Sequence, residues 1–576
     1  MEEAIINSIR KYALKNAYEY GSANSASVMS KVISLFPQVK NNMRDLAIKT
    51  NEIIKEINSM NASDRNALYI KYTEEFSSEK KIKDAQSKVK LILPGAKEGN
   101  FITRFPPEPS GFMHIGHAKV AYLEKSFKEI YKGKLFLHFD DTNPEKCTQA
   151  YVDQIKTDLK WLGIEFDKEY YSSDHIESMY KYIEKLFKKD MAYVCLCSND
   201  NVKNSRASMQ SCEHRSYDQK KNLELFNMML NRKFKENGAI VRFKGSMDSD
   251  NTTMRDPTLF RIKIATHYRQ KDKYVVWPTY YFNTAIVDSI NGVTDVIRSK
   301  EYELGDILYE SILKALDLRV PNLHSESRLN IRGNITKKRE LRKLVESGSL
   351  TGYDDPRLVT IAGLRKRGIM PKAIESFVLR FGMSKVDSSV DISLLLAENK
   401  KIIDTMAKRL YFVQNPVALK IKNHEIENIN IRLHPSDESM GMRLVTVGGT
   451  VYIANDDADL LQVGDVVKLK ELFAVKIVNI NKDDKSIECE IVQNPNPEKK
   501  IQWVSNRDKV ETYIQVPKDI SKKDGSFILD SLEVVNGYGE SYINRLFDME
   551  IIQFERFGFC SAHISDKGNY FIFISK

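Results

Sequence analysis

The run RFPPEPSGFMHIGHAKVAYL, Arg104 to Leu123, restricts this chain more than any other segment. Its prolines fix φ and remove backbone donors directly after the apolar stretch Phe101 to Phe105, so a strand must leave through a stiff turn. Ser110-Gly111 reverses the chain, and helical spacing then takes over at Val120, Leu123, Phe127 and Ile130. A helix N-terminus after such a turn presents free N–H groups and a partial positive charge, and phosphates settle there. His114 and His117 bracket Gly116 and would face the same bound anion. One histidine is ordinarily structural; two at such a turn point to chemistry on a phosphate.

The surrounding pattern is α/β. Leu135 to Phe139 reads as a second buried strand, and Tyr151, Ile155, Leu159 and Leu162 as a helix closed by Gly163. Strand and helix in alternation imply a parallel sheet of the dinucleotide-binding (Rossmann) type, with ligands beyond the C-terminal strand ends. Residues 100–190 form its first half and 254–354 its second, with strands expected near Phe260 to Ile264, Tyr274 to Val276 and Val293 to Arg298. The polar interval 191–253 reads as an insertion between two halves of one sheet.

Residues 1–77 carry Met43, Leu46, Ala47, Ile54 and Ile57 at helical spacing and read as a small helical domain, followed by a lysine-rich linker, 78–99. Residues 355–415 form a helical bundle, marked by the stripe Ile374, Phe377, Val378 and Phe381 that Pro371 opens and Gly382 closes. From 416 to 576 the period is two. Leu444 to Val447, Gly448-Gly449 and Val451 to Ala454 spell a hairpin. Val466 to Leu469, Lys476 to Ile480, Ile487 to Val492 and Tyr570 to Ile574 continue the pattern and suggest one or two β-barrels. The expected fold class is multidomain, α/β followed by β.

A chain of 576 residues, 42% hydrophobic and 29% charged, is far more than one core needs and excludes disorder. The 88 Lys+Arg against 78 Asp+Glu leave +10, which fits a polyanionic partner without identifying it. No apolar run can span a bilayer, and Glu2 and Glu3 open the chain without an apolar leader, so a cytoplasmic protein with no membrane partner is expected. The 6 cysteines are too few for a disulfide framework. Cys195, Cys197, Cys212 and His214 form a C-x-C, C-x-H pattern whose thiolates and imidazole suit tetrahedral Zn2+, the other reading being scattered buried cysteines. Cys147, Cys489 and Cys560 are isolated.

With His-Ile-Gly-His at this place in such a fold, the chain resembles the class I aminoacyl-tRNA synthetases. RFPPEPSG, FDDTNPEK from Phe139, MRDP from Met254 and YDDPR from Tyr353 are similar to the glutamyl-tRNA synthetases, in the archaeal and eukaryotic branch shared with glutaminyl-tRNA synthetases. The resemblance runs from about residue 10 to the C-terminus. It implies that glutamate and ATP, with Mg2+, give glutamyl-adenylate and pyrophosphate, and that the glutamyl group then passes to tRNA(Glu). Whether tRNA(Gln) is also charged stays open. A monomer is expected.

By the same resemblance His114 and His117 contact the ATP phosphates, Gly116 leaves room for adenine, and Pro107 belongs to the ATP site. Arg298 stands where glutamyl enzymes carry an arginine and glutaminyl enzymes generally do not; its fork suits a carboxylate. The alternative is that it pairs with Glu301 or Glu303. Arg104 matches a second substrate-binding arginine and Tyr280 a substrate-binding tyrosine. Asp140 takes the position that receives the α-ammonium, and Glu108 and Thr284 complete the glutamate set. The lysine-rich second signature is NITKKRELRKLV, Asn334 to Val345, after a strand expected at Ser327 to Ile331. It departs from the family consensus. Thr336 replaces serine, and either Lys337 or Lys338 is the phosphate-contacting lysine. His138 and Ser289 depart from the family's usual arginine and histidine. Glutaminyl-tRNA synthetase and a catalytically inactive tRNA-binding paralogue are the competing readings. The β-rich tail would bind the anticodon, with Trp503 and Phe557 as platforms and Arg507 and Arg556 beside them.

Overall fold

The computed structural model describes all residues except 1–2, 37–42, 71, 73–90, 482–484, 494–496, 523 and 566–567. The chain divides into two units, Met1–Lys90 and Leu91–Lys576. Most of the expected linker, up to residue 90, lies outside the described residues.

The first unit holds α1 (Glu3–Tyr20), α2 (Ser25–Leu35), α3 (Met43–Ser59) and α4 (Ala62–Ile70). Of the stripe read in α3, Leu46, Ile54 and Ile57 are buried with Ile53 against Ile9, Leu14 and Val32. Met43, the first residue of that helix, is exposed. Asn24 caps α2, its side chain accepting the Ser27 N–H at 3.1 Å.

In the second unit β1 (Ile102–Phe105), β2 (Lys134–Phe139) and β3 (Lys168–Tyr171) run parallel in that order, with α5 (Ile115–Ile130) and α6 (Gln149–Trp161) as crossovers. After α7 (Ile176–Lys188) the chain builds an antiparallel sheet. Its strands are β4 (Ala192–Cys195), β5 (Ile240–Phe243), β6 (Thr258–Ile262) and β7 (Val276–Pro278), with α8 (Asn199–Ala207) and α9 (Gln219–Leu230) between the first two. The strands read near residues 260 and 276 therefore belong to the inserted sheet and not to the parallel one, so the insertion extends to Pro278. Apolar runs of this length look alike in either sheet, and only pairing separates them.

The chain then returns through α10 (Tyr280–Ile290) to β8 (Asp295–Ser299), and through α11 (Asp306–Ala315) to β9 (Asn322–Glu326), parallel to β8. Thr294 N–H donates to Ile102 O at 2.8 Å, which lays β8 along the edge of β1 left free by β2. Strand order thus reverses at β1, and the crevice beyond β1 and β8 is where such sheets bind ligands. β10 (Leu329–Ile331) precedes α12 (Lys338–Glu346), α13 (Ile361–Lys366) and α14 (Pro371–Val378), and pairs with β11 (Ser388–Val390). In the bundle, Ile374, Phe377 and Val378 are fully buried. The last helix, α15 (Ser393–Ile403), ends well before 415, because Lys408–Leu410 and Phe412–Gln414 are already strands.

Two sheets of seven strands fill the C-terminal third among the described residues. The edge strands of one, Lys408–Leu410 and Phe412–Gln414, are separated by Tyr411 alone, so that sheet curls on itself. In the other, Gln502 alone separates the edge strands Lys500–Ile501 and Trp503–Ser505. The expected hairpin at Gly448-Gly449 does not form. Met442–Val447 pairs with Glu427–Arg432, whereas Thr450–Ala454 pairs with Pro416–Ile421. The two glycines carry the chain from one sheet to another, and a Cβ on Gly448 would lie 3.1 Å from Arg507 Cγ.

One link joins this region to the second signature. Gly333 O accepts N–H groups from Ile520 at 2.8 Å and Ser521 at 3.1 Å, just after the strand Lys509–Pro517. Ile520 is buried with Ile335, Leu341, Leu350 and Leu358. Among the described residues no helix is long and apolar enough to cross a membrane.

Candidate active site

The proline turn after β1 delivers His114 to the N-cap of α5. His114 Nδ1 accepts the Gly116 N–H at 3.1 Å, and His117 Nδ1 accepts the His114 N–H at 3.1 Å. Burial and nearby positive charge, Lys338 for both, lower His114 to about 4 and His117 well below its usual range. Both rings are neutral. In a neutral imidazole the nitrogen that accepts carries no proton, so each ring holds its proton on Nε2. Two N–H donors with no partner among the described residues thus stand beside a helix N-terminus. Gly116 makes this possible: a Cβ there would lie 2.8 Å from His114 Cε1.

The second signature meets the turn through Lys338. Its Nζ donates to Ser110 Oγ at 2.9 Å and lies 3.5 Å from Glu108 Oε2, and a Cβ on Gly111 would sit 3.2 Å from Lys338 Cδ. Lys337 points elsewhere, 79% exposed and paired with Glu340 at 3.0 Å. Thr336, Lys338 and His114 line one cleft with Arg342, Tyr151 and Tyr353, and Phe112 stacks on Tyr353 at 4.2 Å. Glu108 accepts the Ser110 hydroxyl at 2.6 Å, so it lies between this cleft and Asp140.

Deeper in the crevice Tyr280, the first residue of α10, is faced by Arg104, Arg298 and Asp140, and stacks on Tyr302 at 4.5 Å. Asp140 follows β2. Its N–H donates to Pro107 O at 3.2 Å, and its carboxylate accepts from Asn283 at 2.7 Å and Thr142 at 3.2 Å. Burial, then the negative charges of Glu108 and Asp141, push Asp140 up to about 7. Thr284 donates to Tyr280 O at 2.9 Å and steadies the start of that helix.

Arg104 is fully buried on β1, gripped by Asp288 through Nε at 2.8 Å and Nη2 at 3.2 Å, with Nη1 on Ile297 O. Arg298 on β8 pairs with Asp306 and lies over the Tyr309 ring at 5.1 Å. It pairs with neither Glu301 nor Glu303, which Arg328 and Lys385 take instead. Its Nε is buried without a partner. His138 is sealed beneath, 2.7 Å from Ser172 Oγ and stacked on Tyr170; Ser289 faces away and donates to Arg319 O. Asn283, Asp288, Tyr302 and Asp306 escape the sequence reading. Only Asn283 and Asp288 carried a signal, lying on the same helix as Tyr280.

The catalytic-domain family described as tRNA synthetases class I (E and Q) matches residues 100–405, and anticodon-binding domains of the same group match 407–494 and 500–563. The chain belongs to the class I tRNA synthetases of the E and Q group. It is 37% identical over 580 residues to a glutamate–tRNA ligase of Nitrosopumilus maritimus, covering 100% of both chains. With those of Cenarchaeum symbiosum and Pyrococcus abyssi it shares 36% and 35%, covering 96% and 97%, and 95% and 95%, of this chain and the relative.

In the insertion of this synthetase, Cys195, Cys197, Cys212 and His214 bring their ligand atoms within 4.8 Å of one another. Cys195 Sγ lies 3.7 Å from Cys212 Sγ, and Cys197 Sγ 3.4 Å from His214 Nδ1. A tetrahedral zinc with bonds of about 2.3 Å needs sulfur atoms roughly 3.8 Å apart, so the donor set fits. Burial opposes ionisation of Cys212, but its hydrogen-bond contacts with Tyr193 and Cys195 and the charge of Arg242 outweigh it and lower that thiol.

The anticodon residues read from the sequence divide. Trp503 is 1% exposed and spends its Nε1–H on Lys470 O at 2.9 Å, so it is core and cannot serve as a stacking platform. Phe557 and Arg556 line a cleft with Phe412, Val535 and Phe573, where Arg556 pairs with Asp457 at 2.6 Å. Arg507 packs on Gly448.

Proposed function

We propose that this synthetase joins glutamate to tRNA(Glu) through glutamyl-adenylate. The observation that carries the reading is the set of charges gathered around Tyr280, one acid, Asp140, and two arginines, Arg104 and Arg298. A zwitterion with a side-chain carboxylate matches it: the ammonium goes to Asp140 and the γ-carboxylate to Arg298, whose Nε is buried without a partner and whose charge a neutral amide, with one acceptor oxygen in place of two, would meet less well. The dinucleotide-type sheet holds ATP at the α5 N-terminus, with the Nε2–H groups of His114 and His117 and the Lys338 ammonium on its phosphates. These groups stabilise charge that grows as the carboxylate attacks the α-phosphate, and no side-chain nucleophile is needed. Mg2+ enters with ATP. Zinc, held by Cys195, Cys197, Cys212 and His214, would fix the insertion near the tRNA end, and the two curled sheets would read the anticodon.

The test is charging of tRNA(Glu) and tRNA(Gln) by purified protein with each amino acid. Glutamate on tRNA(Glu) is the expected product; glutamine charged at comparable kcat/KM would overturn the assignment. Metal analysis should give one zinc per chain, lost in Cys197→Ser, and a fully folded metal-free preparation would remove zinc from the reading.

A further inference from the structure

Glu124 sits on the face of α5 that packs against the parallel sheet, fully buried. Neither carboxyl oxygen has a hydrogen-bond partner among the described residues. It faces Arg104 from β1, Asp288 from α10 and Glu326 from the end of β9. Tyr170 of β3 also faces it, with a hydroxyl that is equally buried and unpartnered. The cations of this interior are already engaged. Arg104 is held by Asp288, and Lys119, on the same helix as Glu124, donates to Glu326 at 2.6 Å and to Ser327 O at 2.5 Å. Glu124, Asp288 and Glu326 thus share the two cations Arg104 and Lys119. A third ionised carboxylate would be an uncompensated charge sealed from water, whereas a neutral acid closes the balance. Burial pushes Glu124 well above the carboxylate range in spite of Arg104.

We propose that Glu124 is a positioning residue for amino-acid selection: held as the uncharged acid behind Arg104, it leaves Asp288 alone to oppose that arginine and preserves positive potential at the glutamate pocket. This rests on the reading that Arg104 faces that pocket. An ionised Glu124 would oppose Arg104 a second time and repel the substrate carboxylate across a low-dielectric interior. The role is one of charge, so glutamine, the uncharged isostere, should replace it.

The experiment compares wild type, Glu124→Gln and Arg104→Lys in glutamate-dependent ATP–pyrophosphate exchange from neutral to strongly alkaline pH. At neutral pH wild type and Glu124→Gln should share KM for glutamate, KM for ATP and kcat. Once rising pH ionises Glu124, seen as loss of its acid carbonyl band in the infrared, the wild-type KM for glutamate should climb by about tenfold or more beyond that of the variant, the substrate ammonium titrating alike in both; while the band persists the two profiles should coincide. The infrared difference spectrum of wild type minus Glu124→Gln above pH 7 should show the carbonyl stretch of one protonated carboxylic acid. Absence of that band at neutral pH, a raised neutral-pH KM in Glu124→Gln, or pH profiles that still coincide after the band is lost would each overturn the proposal. Arg104→Lys should raise KM for glutamate; if it does not, the pocket reading falls and the proposal with it. Profiles that coincide after the band is lost, alongside a raised KM in Arg104→Lys, sink the proposal alone.

Discussion

Adjacent lysines that point in different directions allow the proposed role of the lysine-rich loop to be tested at one-residue resolution. Lys338 reaches Ser110 Oγ at 2.9 Å in the cleft that His114 lines, whereas Lys337 is exposed and, among the described residues, pairs with Glu340, one helical turn on. A lysine that tightens on a transferring phosphate makes a charge-assisted contact of about 1.5–3 kcal/mol, so Lys338→Ala should slow adenylate formation roughly 10- to 150-fold. Lys337→Ala removes an exposed ion pair of about 0.2–1 kcal/mol and should change the rate less than about threefold. ATP–pyrophosphate exchange at saturating glutamate measures both, and KM for ATP should move less than kcat because the contact strengthens in the transition state. Equal mild defects, or the severe defect in Lys337→Ala, would show that the loop engages ATP in another register.

Arg298→Ala should reduce kcat/KM for glutamate at least about tenfold with KM for ATP unchanged, read in the same exchange assay. Asp140 binds an ammonium only when ionised, and its value of about 7 lies above the carboxylate range. KM for glutamate should therefore fall as pH rises through 7, before any alkaline rise, and this step should vanish in Asp140→Asn. Gly116→Ala places a methyl 2.8 Å from His114 Cε1. That should displace the ring and lower kcat for adenylate formation while circular dichroism shows an intact fold.

Much of the site was readable because its parts are local. The prolines, the glycine between histidines and the stripe through Phe377 each act within one or two turns of chain, so spacing alone exposes them. What lies across the fold was not readable. The Asp288 that grips Arg104 is 184 residues away, and nothing in either segment announces the pairing. The choice between Lys337 and Lys338 depends on which side of the first turn of α12 meets Ser110. Alternation at Leu444–Val447 and Thr450–Ala454 was visible, but their partners lie elsewhere in the chain, and a hairpin was the wrong inference. Trp503 shows the same limit: its aromatic character is legible, its burial is not.

The hydrogen bonds from Ile520 and Ser521 to Gly333 O make the lysine-rich loop and the C-terminal third parts of one mechanical element. The contact is tight as well as specific, since a Cβ on Gly333, itself at φ 72°, would fall 2.2 Å from Asp519 Cγ. Excising the β-rich tail would strip both donors from the backbone beside Asn334 and leave Ile335 and Leu341 without the side chain that covers them. The tail therefore cannot be exchanged as a cartridge. A working chimera must inherit the stretch around Asp519 together with the loop that carries Lys338, as a matched pair.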